Sequence, residues 1–97
     1  MSATILPNFY RAVRSLWEDT DGRHKAVLIR YAPGAVIARH RHIGDEQIWV
    51  LEGEVADDTG MCVAGNYARR PPGCVHTVKS PAGALVFAVI SGPTETV

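Results

Sequence analysis

Glycine and proline interrupt this chain so often that a long helix has little room to form. Fifteen of the 97 residues are Gly or Pro, and the runs between them are rich in Val, Ile, Leu, Trp and Tyr. Short β-favouring runs bounded by turn residues predict many strands in an all-β sandwich or barrel. Asp19-Thr20-Asp21-Gly22 and Asp57-Asp58-Thr59-Gly60 read as hairpin turns, because Asp-Gly tolerates the positive φ such turns need. Strands are expected over 23–31, 35–42, 46–55, 61–64, 67–70, 75–79 and 84–91. In the first of these Val27, Ile29 and Tyr31 share one face. Gly53 inside a strand suggests a bulge or a close backbone approach. Pro71-Pro72-Gly73 cannot join a sheet interior and reads as a fixed loop. Residues 9–18 fit either a strand or one short helix, and 92–97 read as a loose tail.

Ninety-seven residues suffice for one domain, expected to span 1–97 with a barrel core at about 23–91 and an N-terminal arm at 5–18. Ten basic and ten acidic side chains cancel, which leaves no surplus to grip a phosphate backbone and argues against nucleic-acid binding. The longest apolar run, 84–90, is far short of a membrane span, and the N-terminus has no signal-peptide pattern. Cys62 and Cys74 form neither a disulfide framework nor a Cys-x-x-Cys pair, so a reducing, cytoplasmic location is expected.

His40, His42 and Glu46 lie within seven residues, and His76 follows after the Pro-Pro-Gly loop. Alternation along a strand sends His40 and His42 to one face, and Glu46 keeps that parity if the chain stays extended. Parity favours Glu46 over Asp45 as the carboxylate ligand. Three imidazoles and one carboxylate suit zinc, iron, nickel or manganese better than calcium or magnesium. Such a donor set leaves coordination positions open for water, dioxygen or substrate.

These residues resemble the two motifs of the cupin superfamily. Gly34, His40, His42, Glu46 and Gly53 match G-x5-H-x-H-x3,4-E-x6-G, while Gly65, Pro71, Gly73 and His76 match G-x5-P-x-G-x2-H-x3-N. Ser80 replaces the final Asn, a position that is not a ligand. Residues 30–34 through Glu52-Gly53, with Trp17-Glu18-Asp19 upstream, look most like the ChrR-type cupin-like domains. The resemblance implies a double-stranded β-helix, a jelly-roll-like barrel with one divalent transition metal, Fe2+ or Zn2+ foremost, held in its mouth by His40, His42, Glu46 and His76. It implies one of two functions. The first is a small oxygenase or related enzyme acting on ketones or diketones. The second is a non-catalytic metal-binding sensor, though the helical anti-sigma domain that precedes the cupin in ChrR proteins is not in this chain. It also implies a small-molecule ligand and a homodimer paired through N-terminal strands.

The remaining conspicuous residues have plainer readings. His24 reads as a solvated surface residue, and Arg69-Arg70 as a solvated pair. Trp17 and Trp49 read as core aromatics, as such side chains usually are in a small β protein. Trp49 should nevertheless point away from the ligands, with Ile48, Val50 and Phe87 offering an apolar cavity wall. Cys74 could face the metal if residue 75 is extended, but a small buried side chain is the simpler account.

Overall fold

The computed structural model describes residues 11–97, and among them every regular element is a β-strand. The strands are β1 (Arg11–Glu18), β2 (His24–Tyr31), β3 (Ala35–His42), β4 (Glu46–Asp57), β5 (Gly60–Val63), β6 (Tyr67–Arg70), β7 (Val75–Ser80), β8 (Ala84–Ser91) and β9 (Thr94–Thr96). All pairings are antiparallel. One sheet runs β1-β2-β8-β4-β6 and the other runs β9-β3-β7-β4-β5. This is the expected all-β double-stranded β-helix, with β4 shared between its two sheets. The ambiguous N-terminal segment resolves as β1; residues 1–10, and with them most of the apolar arm before β1, lie outside the described residues.

Strand β4 is long because it turns the corner between sheets. Its register with β8 slips between Val50 and Glu52, and Gly53 follows with a φ of 73°. A β-carbon on Gly53 would stand 2.0 Å from the Gly83 carbonyl oxygen, so only glycine fits here. The slip also reverses which residues face inward. Before it Glu46, Ile48 and Val50 point into the barrel; after it Val55 and Asp57 do.

The core follows the predicted parity. Val27, Ile29 and Tyr31 of β2 meet Ile48 and Val50 of β4 and Val86 of β8, all buried. Ser80, standing where the motif has Asn, is also buried, and its hydroxyl donates to the Glu54 carbonyl at 2.6 Å, stapling β7 to β4.

Three expectations need correction. The tail is not loose: Thr94–Thr96 pairs with β3 at His40↔Thr96 and His42↔Thr94, since β3 would otherwise present an unpaired edge. Trp17 and Trp49 are exposed rather than core. Phe87 lies on the outer face against Trp49, with ring centroids 5.5 Å apart, because it sits between the inward-facing Val86 and Ala88 on β8.

Candidate metal centre

Strand register assembles the histidines. His40 and His76 are direct partners across β3 and β7, and His42 lies on the same face two residues along. The Pro71-Pro72-Gly73 loop fixes the next step. Gly73 N–H donates to the His42 carbonyl at 2.7 Å, and His42 N–H donates to the Cys74 carbonyl at 2.8 Å. The loop thus ties the start of β7 to the end of β3. Gly44, just beyond, packs so tightly against the Ser91 carbonyl that a β-carbon would overlap it at 1.4 Å. That contact holds the tight link from His42 to Glu46.

The three Nε2 atoms converge. His40 to His42 is 3.2 Å and His42 to His76 is 2.9 Å. His40 Nδ1 donates to the Ala38 carbonyl at 2.7 Å, and His76 Nδ1 donates to Asp57 Oδ2 at 2.8 Å. Each of those rings spends its one proton on Nδ1, so its Nε2 presents a lone pair. Even with its proton on Nε2, His42 could bond only one of the two. At least one lone-pair contact then has nothing positive between its nitrogens. An ion at the usual ~2.1 Å from each nitrogen would see these separations at angles of about 90–100°. Three neutral imidazoles on one side of such a point, with the other side open, fit a divalent transition metal.

Protonation is suppressed where the rings crowd. Burial lowers His42 to about 4, with further contributions from His40, His76 and Arg70. Burial also lowers His76, against the opposing pull of the Asp57 hydrogen bond. Both rings therefore stay neutral, as ligands must.

Behind His76 lies a charged pair that the sequence reading missed. The Asp57 side chain is 4% exposed and that of Arg70 11%, with 3.4 Å between them. Burial alone would raise the Asp57 carboxyl, but hydrogen bonds from His76 and Thr59 and the Arg70 charge hold it well below the usual range. The Arg70 Nε also lies 3.2 Å from His76 Nδ1, but a carboxylate only accepts, so the Nδ1 proton points to Asp57. This carboxylate–histidine arrangement fixes the ring and raises its donor strength. Arg70 is thus not half of a solvated pair. Arg69 is the exposed one, and it meets Asp45 at 2.7 Å.

Glu46 stands apart from the nitrogen cluster. It lines the same cavity, but the group of donor atoms lying within 4.8 Å of one another contains only His40, His42 and His76. Burial raises its carboxyl, opposed by Arg70 and Arg11. Asp45, its rival in sequence, turns to Arg69 instead. His24 is exposed as expected, and pairs with Asp19 at 2.9 Å. Neither cysteine lines the cavity beside the histidines; both are free thiols. That cavity has a volume of about 270 Å³. Its apolar wall is Val27, Ile29, Ile37, Val78 and Ile90, and β9 contributes Thr94 and Thr96.

The family model for the ChrR Cupin-like domain matches residues 11–95. The chain belongs to that family. Solved structures share this cupin-like domain's fold at low identity. An acetylacetone dioxygenase from Acinetobacter johnsonii superposes with a TM-score of 0.87 at 15% identity, over 98% of this chain and 71% of the other. A protein with a cupin-like fold from Ralstonia eutropha gives 0.82 at 20% identity, over 90% and 58%. A Rhodobacter sphaeroides complex of SigE with the anti-sigma ChrR gives 0.80 at 22% identity, over 94% and 49%. The cupin-like domain thus spans between about half and about seven tenths of the length of these structures. No curated protein matches it in sequence. Among the described residues no helix is long and apolar enough to cross a membrane.

Proposed function

We propose that this cupin-like domain, read as one domain over 1–97, is a small metal-dependent enzyme of the oxygenase class acting on a small carbonyl compound. The observation that carries the reading is the convergence of three Nε2 lone pairs on the wall of an open cavity with mixed polar and apolar lining. His40, His42 and His76 would hold the ion, and Glu46 would approach from the same wall as a fourth ligand. A redox-active ion such as iron, when bound there, supplies electrophilic activation of a carbonyl group and one-electron chemistry toward dioxygen. The chain's own residues bind and orient. Asp57 fixes the His76 ring, the apolar side chains of β2 and β8 exclude bulk water, and Glu46, as an ionised ligand, would offset part of the ion's charge. The fold shared with an acetylacetone dioxygenase makes ketones and diketones the first substrates to try.

The test is elemental analysis of protein purified without added metal, then dioxygen uptake by Fe(II)-reconstituted protein against a panel of diketones and hydroxyketones. Consumption above the metal-free control supports the reading; none with any member ends it. A second reading is favoured by the family match itself, which is to a ChrR-type domain. There the ion, zinc foremost, would serve a sensor without turnover. Zinc as the resident metal with no dioxygen uptake would select it. Pairing of two copies through β1, whose Leu16 and Trp17 are exposed, and a reducing, cytoplasmic setting for the two free thiols complete the proposal.

A further inference from the structure

The cavity carries more positive charge than its histidines require. Arg11 at the start of β1 and Lys25 on β2 both line it, together with Glu46. Among the described residues neither cation has a carboxylate oxygen within 4.0 Å. Arg70 already faces the two inward carboxylates, Asp57 in contact and Glu46 nearby. Three cations therefore confront two carboxylates around this interior, and a divalent ion would add two further positive charges. Low-dielectric walls focus such a field into the cavity. A neutral diketone brings at most one negative charge, on the enolate oxygens that face the histidines. With the ion counted, positive charge would still exceed negative, although Arg11 also acts on Glu46 and Lys25 stands opposite Glu18 in the β1–β2 register.

We infer that the substrate is a small oxo-monocarboxylate, whose carboxylate is gripped by Arg11 and drawn in by Lys25 while its carbonyl oxygen faces the histidines. This rests on the proposed enzymatic reading and narrows its substrate class. Arg11 suits the role because a guanidinium meets a carboxylate with two parallel hydrogen bonds. Its position is anchored: it stands opposite Tyr31 in the β1–β2 register, and its charge acts on the buried Tyr31 hydroxyl. Lys25 is exposed and partners Ile90 across β2 and β8, so it serves attraction at the rim rather than a fixed contact. Thr94 and Thr96 add hydroxyls to the same wall. The cavity's volume of about 270 Å³ is at the small end of ligand pockets, which limits the acid to a short chain.

The experiment compares two probes of nearly equal shape, acetoacetate and pentane-2,4-dione, by calorimetric titration into protein of measured metal content. Acetoacetate is expected to bind at least about ten-fold more tightly, because truncating one side of a close charge pair costs about that much or more. The preference should shrink as ionic strength rises from about 0.05 to about 0.5 M. Arg11→Gln should erase the preference, read as the ratio of acid to dione affinity in protein of measured metal content. Lys25→Gln, at an exposed site that does not threaten folding, should weaken the acid about two- to three-fold and flatten its salt dependence. Equal or tighter binding of the dione, no binding of the acid, or an acid preference that survives both substitutions overturns the inference. Dioxygen uptake is a separate readout, so a protein that prefers the acid yet consumes no dioxygen sinks the oxygenase reading alone.

Discussion

His76 and His40 stand opposite one another across β3 and β7, and their rings are oriented by different means. His76 is buried at 3% exposure, and its Nδ1 rests on an Asp57 carboxylate that is itself enclosed and braced by Arg70. His40 is half-buried beside β9, and its Nδ1 rests on the carbonyl of Ala38 in its own strand. One side of the centre is therefore set by long-range side-chain packing and the other by local backbone. The buried side should hold the metal and the rim side should admit what reacts with it, and this division can be broken by mutation.

The largest effect falls on the buried rings. His42→Ala and His76→Ala should each abolish stoichiometric metal binding, measured by elemental analysis. An ion present at about 100 times its Kd stabilises the fold by about 2.7 kcal/mol, on the order of a 10 °C or greater shift in Tm for a domain this small. The Tm gap between metal-loaded and metal-free protein should vanish in both variants. His40→Ala should weaken binding without abolishing it. Equal loss in all three would erase the distinction between wall and rim.

Next comes Asp57→Asn, which keeps size but removes the acceptor charge. Metal affinity should fall about 10- to 100-fold, the usual consequence of losing a carboxylate behind a ligating histidine. Competition with a chromophoric chelator measures it. An affinity within two-fold of the parent would mean that Asp57 merely fills space. Because the substitution strands Arg70 in a buried setting, a drop in metal-free Tm is expected as well.

Asp57 also shows where the sequence stopped being legible. The spacing of His40, His42 and His76 could be read directly, because strand parity and the Pro-Pro-Gly loop are local signals. The same parity, carried from Glu46 along an unbroken strand, would turn Asp57 outward. The slip after Val50 reverses it, and the bulge suspected at Gly53 was the clue that a reversal was available. Arg70 could have been found similarly, since it pairs with Glu46 across β4 and β6 and so shares its inward face. Choosing that pairing, however, requires the sheet order, which no local pattern encodes. The β9 strand was hidden for the same reason: three exposed polar residues become a strand only because β3 offers them an edge. Residue type alone put Trp49 in the core, while strand parity sends it away from the ligands, as the structure has it; Phe87, expected on the cavity wall, lies with it on the outer face, where Tyr67 joins them.

The pH dependence tests the crowded histidines directly. In metal-free protein His42 has its pKa lowered to about 4, first by burial and then by His40, His76 and Arg70, against about 6.5 when unfolded. The unfolded chain therefore takes up protons that the folded one refuses, and stability falls as pH drops from about 6.5 toward 4. His76, lowered for the same leading reason, adds to the loss in the same direction. Asp57, held below its ordinary 3.8, keeps its contribution through that window and loses it only under stronger acid. Melting temperature of the metal-free protein should decline steadily from pH 7 to pH 4.5, with a shallower slope in His42→Ala. A flat profile in the parent would mean that the rings open to water before they protonate.

The smallest effect is expected at the rim, where β9 closes against β3. Arg41 and Glu95 form an ion pair at 2.7 Å across those strands, with side chains 45% and 50% exposed. Its distance rivals that of the His76–Asp57 contact, but water screens it, and exposed pairs contribute about 0–1 kcal/mol. Glu95→Gln should leave metal content unaltered and lower Tm by no more than about 4–8 °C at the upper limit of that range. Added salt should reduce even that difference. The pairing of β9 with β3 rests instead on backbone hydrogen bonds, among them Ile43 N–H to the Pro93 carbonyl at 3.0 Å and Val97 N–H to the Arg39 carbonyl at 3.3 Å, in the register that sets Arg41 opposite Glu95. Amide exchange at Ile43 and Val97, whose N–H groups bond across the two strands, should therefore be nearly the same in the variant and the parent. Faster exchange at both, accompanied by weaker metal binding, would show that the rim ion pair positions His40 and that the two sides of the centre are not independently built.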